Sequence, residues 1–159
     1  MKNNMKTQKL IVISFMLSVL SISFFSCEKE GGCGDTNISE SGGNDSHNNG
    51  QNCMQCHTNG GEGEGCFSAA GSVYNSALSS PVSSGKVEFF TQANGSGQLM
   101  YTIQIDSYGN FYTTADMNVA GLFPRVTGPT GTQQSMSTGL SSGKCNTCHN
   151  VSTSKIWAD

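Results

Sequence analysis

The balance of apolar and polar positions changes twice along the chain. Leu10–Phe25 is an uncharged, mostly apolar run of 16 residues, Cys27–Asn52 holds almost no apolar residue, and from Phe67 onward short runs of mixed character are separated by turn residues. Those later runs read as strands. Phe67–Tyr74 is the first and Lys86–Thr91 the second, followed by Asn94-Gly95-Ser96-Gly97, a hairpin-turn signal. Leu99, Tyr101, Ile103 and Ile105 alternate with Met100, Thr102, Gln104 and Asp106, as a half-buried strand requires. A turn over Ser107–Asn110 leads into Phe111–Thr114, and weaker strands are expected near Leu122–Thr127 and Thr132–Met136. No stretch here carries the 3.6-residue period of an amphipathic helix. Alternating faces of this kind bury themselves by stacking two sheets, so the expected fold is mainly β, a small antiparallel sandwich with little helix.

Part of this β region resembles the carboxypeptidase-regulatory-like (transthyretin-like) module. The matching residues are Gly71-x-Val73-Tyr74, Pro81-Val82, Val87 and the turn Asp106-x-x-Gly109-Asn110-Phe111, within residues 67–114. The resemblance implies a binding or spacing element with no catalytic residues of its own.

The first change of pattern speaks to compartment. Lys2, Lys6 and Lys9 precede the apolar run, which ends at Ser26-Cys27. The run is long for the hydrophobic part of an export signal and slightly short for a membrane-spanning helix. The small residue before Cys27 resembles a lipoprotein signal, implying a leader over 1–26, lipidation of Cys27, and an exported, outer-membrane lipoprotein facing the periplasm or cell surface. Glu28-Lys29-Glu30 resembles the charged tag of some surface-exported lipoproteins. An ordinary cleaved signal and an uncleaved anchor are the alternatives. Residues 27–52, rich in Gly, Asn and Ser, read as a flexible tether. From Cys27 on, five cationic residues stand against 11 acidic ones, a balance of −6 that offers no basic field for nucleic acid.

The cysteines carry the chemistry. Of seven, Cys53-Met54-Gln55-Cys56-His57 and Cys145-Asn146-Thr147-Cys148-His149 take four, and the same two motifs take two of the three histidines. Cys-x-x-Cys-His is the attachment signature of c-type haem: two thiols add to the vinyl groups on one porphyrin edge, and the adjacent imidazole binds the iron. Composition alone predicts on the order of 0.006 accidental matches. The expected cofactors are therefore two covalently bound haem c groups, with Cys53, Cys56, Cys145 and Cys148 as attachment residues and His57 and His149 as proximal iron ligands. Two alternatives use the same cysteines, an all-cysteine zinc site and dithiol redox pairs.

The pair of motifs resembles small dihaem cytochromes c, with the β module inserted between segments 53–66 and 137–159. The resemblance implies electron transfer to redox partner proteins, with the lipid at Cys27 as the membrane contact. Residues 58–65 contain four glycines and cannot continue the helix that usually follows such a motif. For the distal iron positions the candidates are Met136, an apolar residue alone in the polar run 133–139, and His47 in the tether. Met100, on the polar side of its strand, and Met117, with apolar neighbours, are expected elsewhere. An open iron would instead suit a haem peroxidase or ligand sensor, and a third reading makes the β insert a surface binding module. Cys33 and Cys66 remain; a disulfide between them would close a loop over the first motif, worth very roughly 3 kcal/mol, and pairing of Cys33 with another chain is the alternative.

Overall fold

A computed structural model describes residues 32–159, so the expected leader, Cys27 and the charged tag lie outside the described residues. Seven strands follow in chain order: β1 (Ala69–Tyr74), β2 (Lys86–Gln92), β3 (Ser96–Gln104), β4 (Asn110–Thr113), β5 (Phe123–Thr127), β6 (Gln133–Ser135) and β7 (Ile156–Trp157). They form a three-stranded sheet, β4-β1-β7, and a four-stranded sheet, β3-β2-β5-β6. The fold is mainly β, and among the described residues helix is confined to three 3-10 turns of three residues each.

The two sheets enclose a core of Val73 from β1, Val87 and Phe89 from β2, Ile103 and Ile105 at the end of β3, Phe111 from β4 and Val126 from β5. Alternation in β2 explains its register: Val87 and Phe89 point inward, while Glu88 lies on the other face between Lys86 and Arg125, 2.9 Å from each. Arg125 also stacks over the Phe90 ring at 4.5 Å, so this outer face is closed by charge and aromatic contacts rather than by a second layer. Burial alone would raise the Glu88 carboxyl, but hydrogen bonds from Lys86 and Arg125 outweigh it and hold the group below its ordinary value.

Three features differ from the sequence expectations. The half-buried face expected to begin at Leu99 begins later, at Tyr101, and Leu99 is exposed. The β2–β3 register shifts between Phe89 and Phe90, which re-aims the outer part of this edge strand. Second, the sandwich is not wholly antiparallel, because β7 adds to β1 in parallel, with Val73 opposite Ile156 and Tyr74 opposite Trp157. A two-residue strand has no periodicity to read, and only its partner makes it one. Third, the segment expected as a tether is laid on the sandwich from Asn37 onward. Ser39 is buried, its N–H donates to the Tyr112 carbonyl at 2.9 Å and its hydroxyl to the Gln104 carbonyl at 2.7 Å. Polar side chains and backbone do here what an apolar stripe would do in a helix.

Met100 is exposed, and Met117 packs against the core. Cys33 and Cys66 form a disulfide across a separation of 33 residues, drawing the start of the described chain to the end of the first motif loop.

Candidate functional site

Both Cys-x-x-Cys-His segments form the same local structure. Each begins with a 3-10 turn, Cys53–Gln55 or Cys145–Thr147. The His57 N–H donates to the Cys53 carbonyl at 3.0 Å and the His149 N–H to the Cys145 carbonyl at 3.1 Å. That turn places the two cysteines and the histidine of one motif within a single turn of chain. All four thiols are free.

The imidazoles are held alike. Nδ1 of His57 lies 2.8 Å from the Glu64 carbonyl, and Nδ1 of His149 lies 2.8 Å from the Ser154 carbonyl. A carbonyl only accepts, so each Nδ1 carries the proton and each Nε2 keeps a lone pair for a metal. A backbone carbonyl on the far nitrogen is the usual outer partner of a ligating histidine. The glycine-rich loop 58–65 exists for this contact: a Cβ on Gly63 would stand 2.7 Å from His57 Nδ1, so only glycine lets the loop pass against the ring.

The two segments meet on β1. Gly71 is the point of closest approach to the second: a Cβ there would stand 2.6 Å from the Phe111 ring and 3.0 Å from Cys145 Cβ. One position on, Ser72 joins both segments in a buried polar network. Its N–H donates to Asn146 Oδ1 at 3.1 Å, its hydroxyl donates to Asn110 Oδ1 at 2.6 Å, and it accepts from the Gly50 N–H at 2.9 Å. Asn146 Nδ2 then donates to the Gln51 carbonyl at 2.8 Å, tying the second motif to the entry of the first. Ser72, Asn110 and Asn146 were missed as functional positions. Asn146 stands inside a motif as one of its variable residues, and Ser72 and Asn110 sit in ordinary strand and turn patterns, so nothing local singles them out.

The first cysteine of the second motif lies near enough to Cys53 to feel its charge. Burial, and after it the neighbouring Cys53, pushes the Cys145 thiol up to about 12; burial also raises Cys53. Among the described residues no group of three or more His, Cys, Asp or Glu side chains is placed to hold a metal ion. A haem iron asks less of the protein, because the porphyrin supplies four ligands and the chain only the axial ones.

The surroundings differ sharply. The second motif lines a cleft of about 600 Å³ between the sheets. Its walls include the core residues Val87, Phe111 and Val126, then Leu140, Ile156 and Trp157, and Cys145, Cys148, His149 and Met136 open onto it. This volume is in the range of cofactor pockets, and the lining is mostly apolar, so the residues present fit a porphyrin attached there. The first motif borders a cavity of only about 100 Å³, lined by Cys53, Cys56, His57, His47, Phe67 and polar residues of the 37–52 segment. That space encloses no porphyrin, and a group attached at Cys53 and Cys56 is one carried largely at the surface. His57 stacks on Phe67 with ring centroids 4.1 Å apart, and Phe67 stacks in turn on Tyr112 at 5.0 Å.

The structure thus brings His47 to the first motif and Met136 to the second. Among the described residues no helix is long and apolar enough to cross a membrane. Comparison with models of known protein families, with characterised proteins and with solved structures finds no match.

Proposed function

We propose that the protein is an exported, lipid-anchored dihaem c-type cytochrome that carries electrons. One observation carries this reading: two Cys-x-x-Cys-His turns of equal geometry, each with free thiols and an imidazole whose Nδ1 proton is given to a backbone carbonyl at 2.8 Å. Cys53 with Cys56, and Cys145 with Cys148, would hold the two groups, and His57 and His149 would bind their irons. When bound, the groups supply one-electron redox chemistry.

The chain's own part is to hold, shield and tune. The Glu64 and Ser154 carbonyls fix the tautomer and the orientation of the two imidazoles. The cleft offers the second site a mostly apolar wall. The Ser72–Asn146–Gln51 hydrogen bonds hold the two attachment turns in one rigid unit on β1, which suits passage of an electron between them. The acidic balance favours a partner that presents positive charge. No Ser/His/acid arrangement or phosphate loop stands in the sequence to suggest a catalyst.

The test is a pyridine haemochrome spectrum with intact mass, on protein matured in an exporting, haem-competent cell. Two thioether-linked haems and a lipid on Cys27 are expected. Colourless protein, with these sulfurs holding zinc or joined to each other, would overturn the reading.

A further inference from the structure

We infer that β3 is a docking edge for a second copy of this chain, the two β3 strands pairing antiparallel across a two-fold axis. The inference stands apart from the haem reading, since no attachment residue takes part in it.

Two open sheets have four outer strands, here β4, β7, β3 and β6. Each exposes a row of N–H and C=O groups unless something covers it. β4 is covered by the start of the 37–52 segment, where Ile38 bridges to Thr113 and the Ser39 N–H donates to the Tyr112 carbonyl at 2.9 Å. β6 and β7, with three and two residues, are too short to template another chain. β3 is the exception. It is nine residues long, and among the described residues β2 is its one neighbouring strand.

Two bonds show how its backbone is turned. The Ile105 N–H, just past the strand, donates to the Gly85 carbonyl beside β2 at 2.9 Å, and the Gln104 carbonyl points the other way, accepting from the Ser39 hydroxyl at 2.7 Å. In an antiparallel ladder successive residues aim these groups to opposite sides. Thr102 therefore aims its N–H and C=O away from β2, and it is exposed. Such an edge is ordinarily guarded by a charged residue or a proline. Ser96–Gln104 contains neither, and Leu99 and Met100 stand 45% and 42% exposed at its middle.

The missing charge also selects the occupant. An acidic chain repels its own copy over most of its surface, but two β3 strands set no like charges opposite one another. With the axis at Met100, Leu99 of one copy lies across from Tyr101 of the other, an aliphatic–aromatic pair that stabilises sheets. Two four-stranded sheets then join into one of eight. The second-motif cleft, walled by β5 and β6 on the far side of the sheet from β3, stays open. One strand edge is a small interface, so the dimer is reversible and depends on concentration.

The full matured protein, in density-matched detergent, is followed by sedimentation equilibrium up to ~1 mM, with amide exchange read in parallel. A monomer–dimer equilibrium is expected, and the Thr102 amide should exchange more slowly as the dimer fills. Met100→Lys, which sets like charges on the axis, should weaken association by roughly tenfold. Thr102→Pro, which removes the outward N–H and is of a kind that edge strands tolerate, should do the same. Far-UV circular dichroism checks that both variants fold. Tyr108→Lys, at a similarly exposed position in the turn between β3 and β4, is the control and should change nothing. A monomer throughout the range, a dimer that survives both β3 variants, or association lost equally in Tyr108→Lys would overturn the assignment. So would a Thr102 amide protected at every concentration, because another segment of the same chain would then cover the edge. The covalent haem count is untouched by any of these outcomes.

Discussion

The two Cys-x-x-Cys-His segments are alike within five residues and unlike in everything around them. Both make the same turn, free the same two thiols and give the imidazole Nδ1 proton to a carbonyl at 2.8 Å. Yet the second opens onto an apolar cleft of about 600 Å³ continuous with the core, whereas the first borders a polar cavity of about 100 Å³ under the 37–52 segment. Local geometry is a property of the motif. Burial and polarity are properties of the strands that happen to lie beside it.

The difference can be broken most severely by removing one set of thiols. Cys145→Ala with Cys148→Ala should reduce the covalent haem count from two to one, and so should Cys53→Ala with Cys56→Ala, read by intact mass. Only the first pair should also lower the thermal midpoint of the apoprotein, because Cys145 packs against the core and Cys53 does not. Next in size is the Cys33–Cys66 disulfide. Cys33→Ser with Cys66→Ser should cost about 3 kcal/mol in chemical denaturation, as expected for freeing a loop of this length. It should loosen the first site, whose glycine-rich loop it anchors, more than the second.

Two glycines make a paired test of intermediate size. Gly71→Ala forces a Cβ against Phe111 and Cys145 and should cost about 1–3 kcal/mol while impairing attachment at the second motif. Gly63→Ala presses on the His57 ring instead and should disturb the first haem's spectrum with little change at the other. Asn146→Ala removes the bridge between the segments, with an expected cost of about 1–3 kcal/mol from leaving buried partners unmatched. Unlike the glycine variants it should affect both sites, which is the way to show that one network holds them.

The smallest expected effect is the pH dependence of the outer face of the four-stranded sheet, where Glu88 lies between Lys86 and Arg125. The Glu88 carboxyl is held below its ordinary value of 4.5. Its ion pairs therefore contribute stability that is fully present above that value and lost as pH falls through the lower, folded one. Wild-type protein should lose thermal stability in that acidic window, and Glu88→Gln should flatten the loss there. A flattened profile with unchanged spectra would show that the outer ion pairs stabilise the sheet without acting on the sites.

Much of the strand framework was legible because alternation is a local signal. Val87, Phe89, Ile103 and Ile105 face inward as period two demands, and the runs at Phe67, Lys86, Phe111, Leu122 and Thr132 coincide with β1, β2, β4, β5 and β6 to within a few residues. Leu99 lost its expected burial to a register shift that lies in the pairing of two strands. Ile156 and Trp157 were unreadable as a strand for the same reason, since what makes them one is the backbone of β1. The polar docking of residues 37–52 was hidden too, because Ser and Asn serve a loose tether and a hydrogen-bonded strap equally well.

Read alone, the order of residues places two thiols and an imidazole within one turn of chain in each motif, which is what the proposed attachment and proximal ligation need. It also sufficed for the alternating strands. Which residues of other segments lie near those motifs is a matter of long-range folding. His47 is fastened to β4 and Met136 to β5 by hydrogen bonds between residues far apart in the chain. The size of each cavity likewise depends on how two sheets diverge around it. Contacts of that kind are made by packing, and no local pattern of residues encodes them separately.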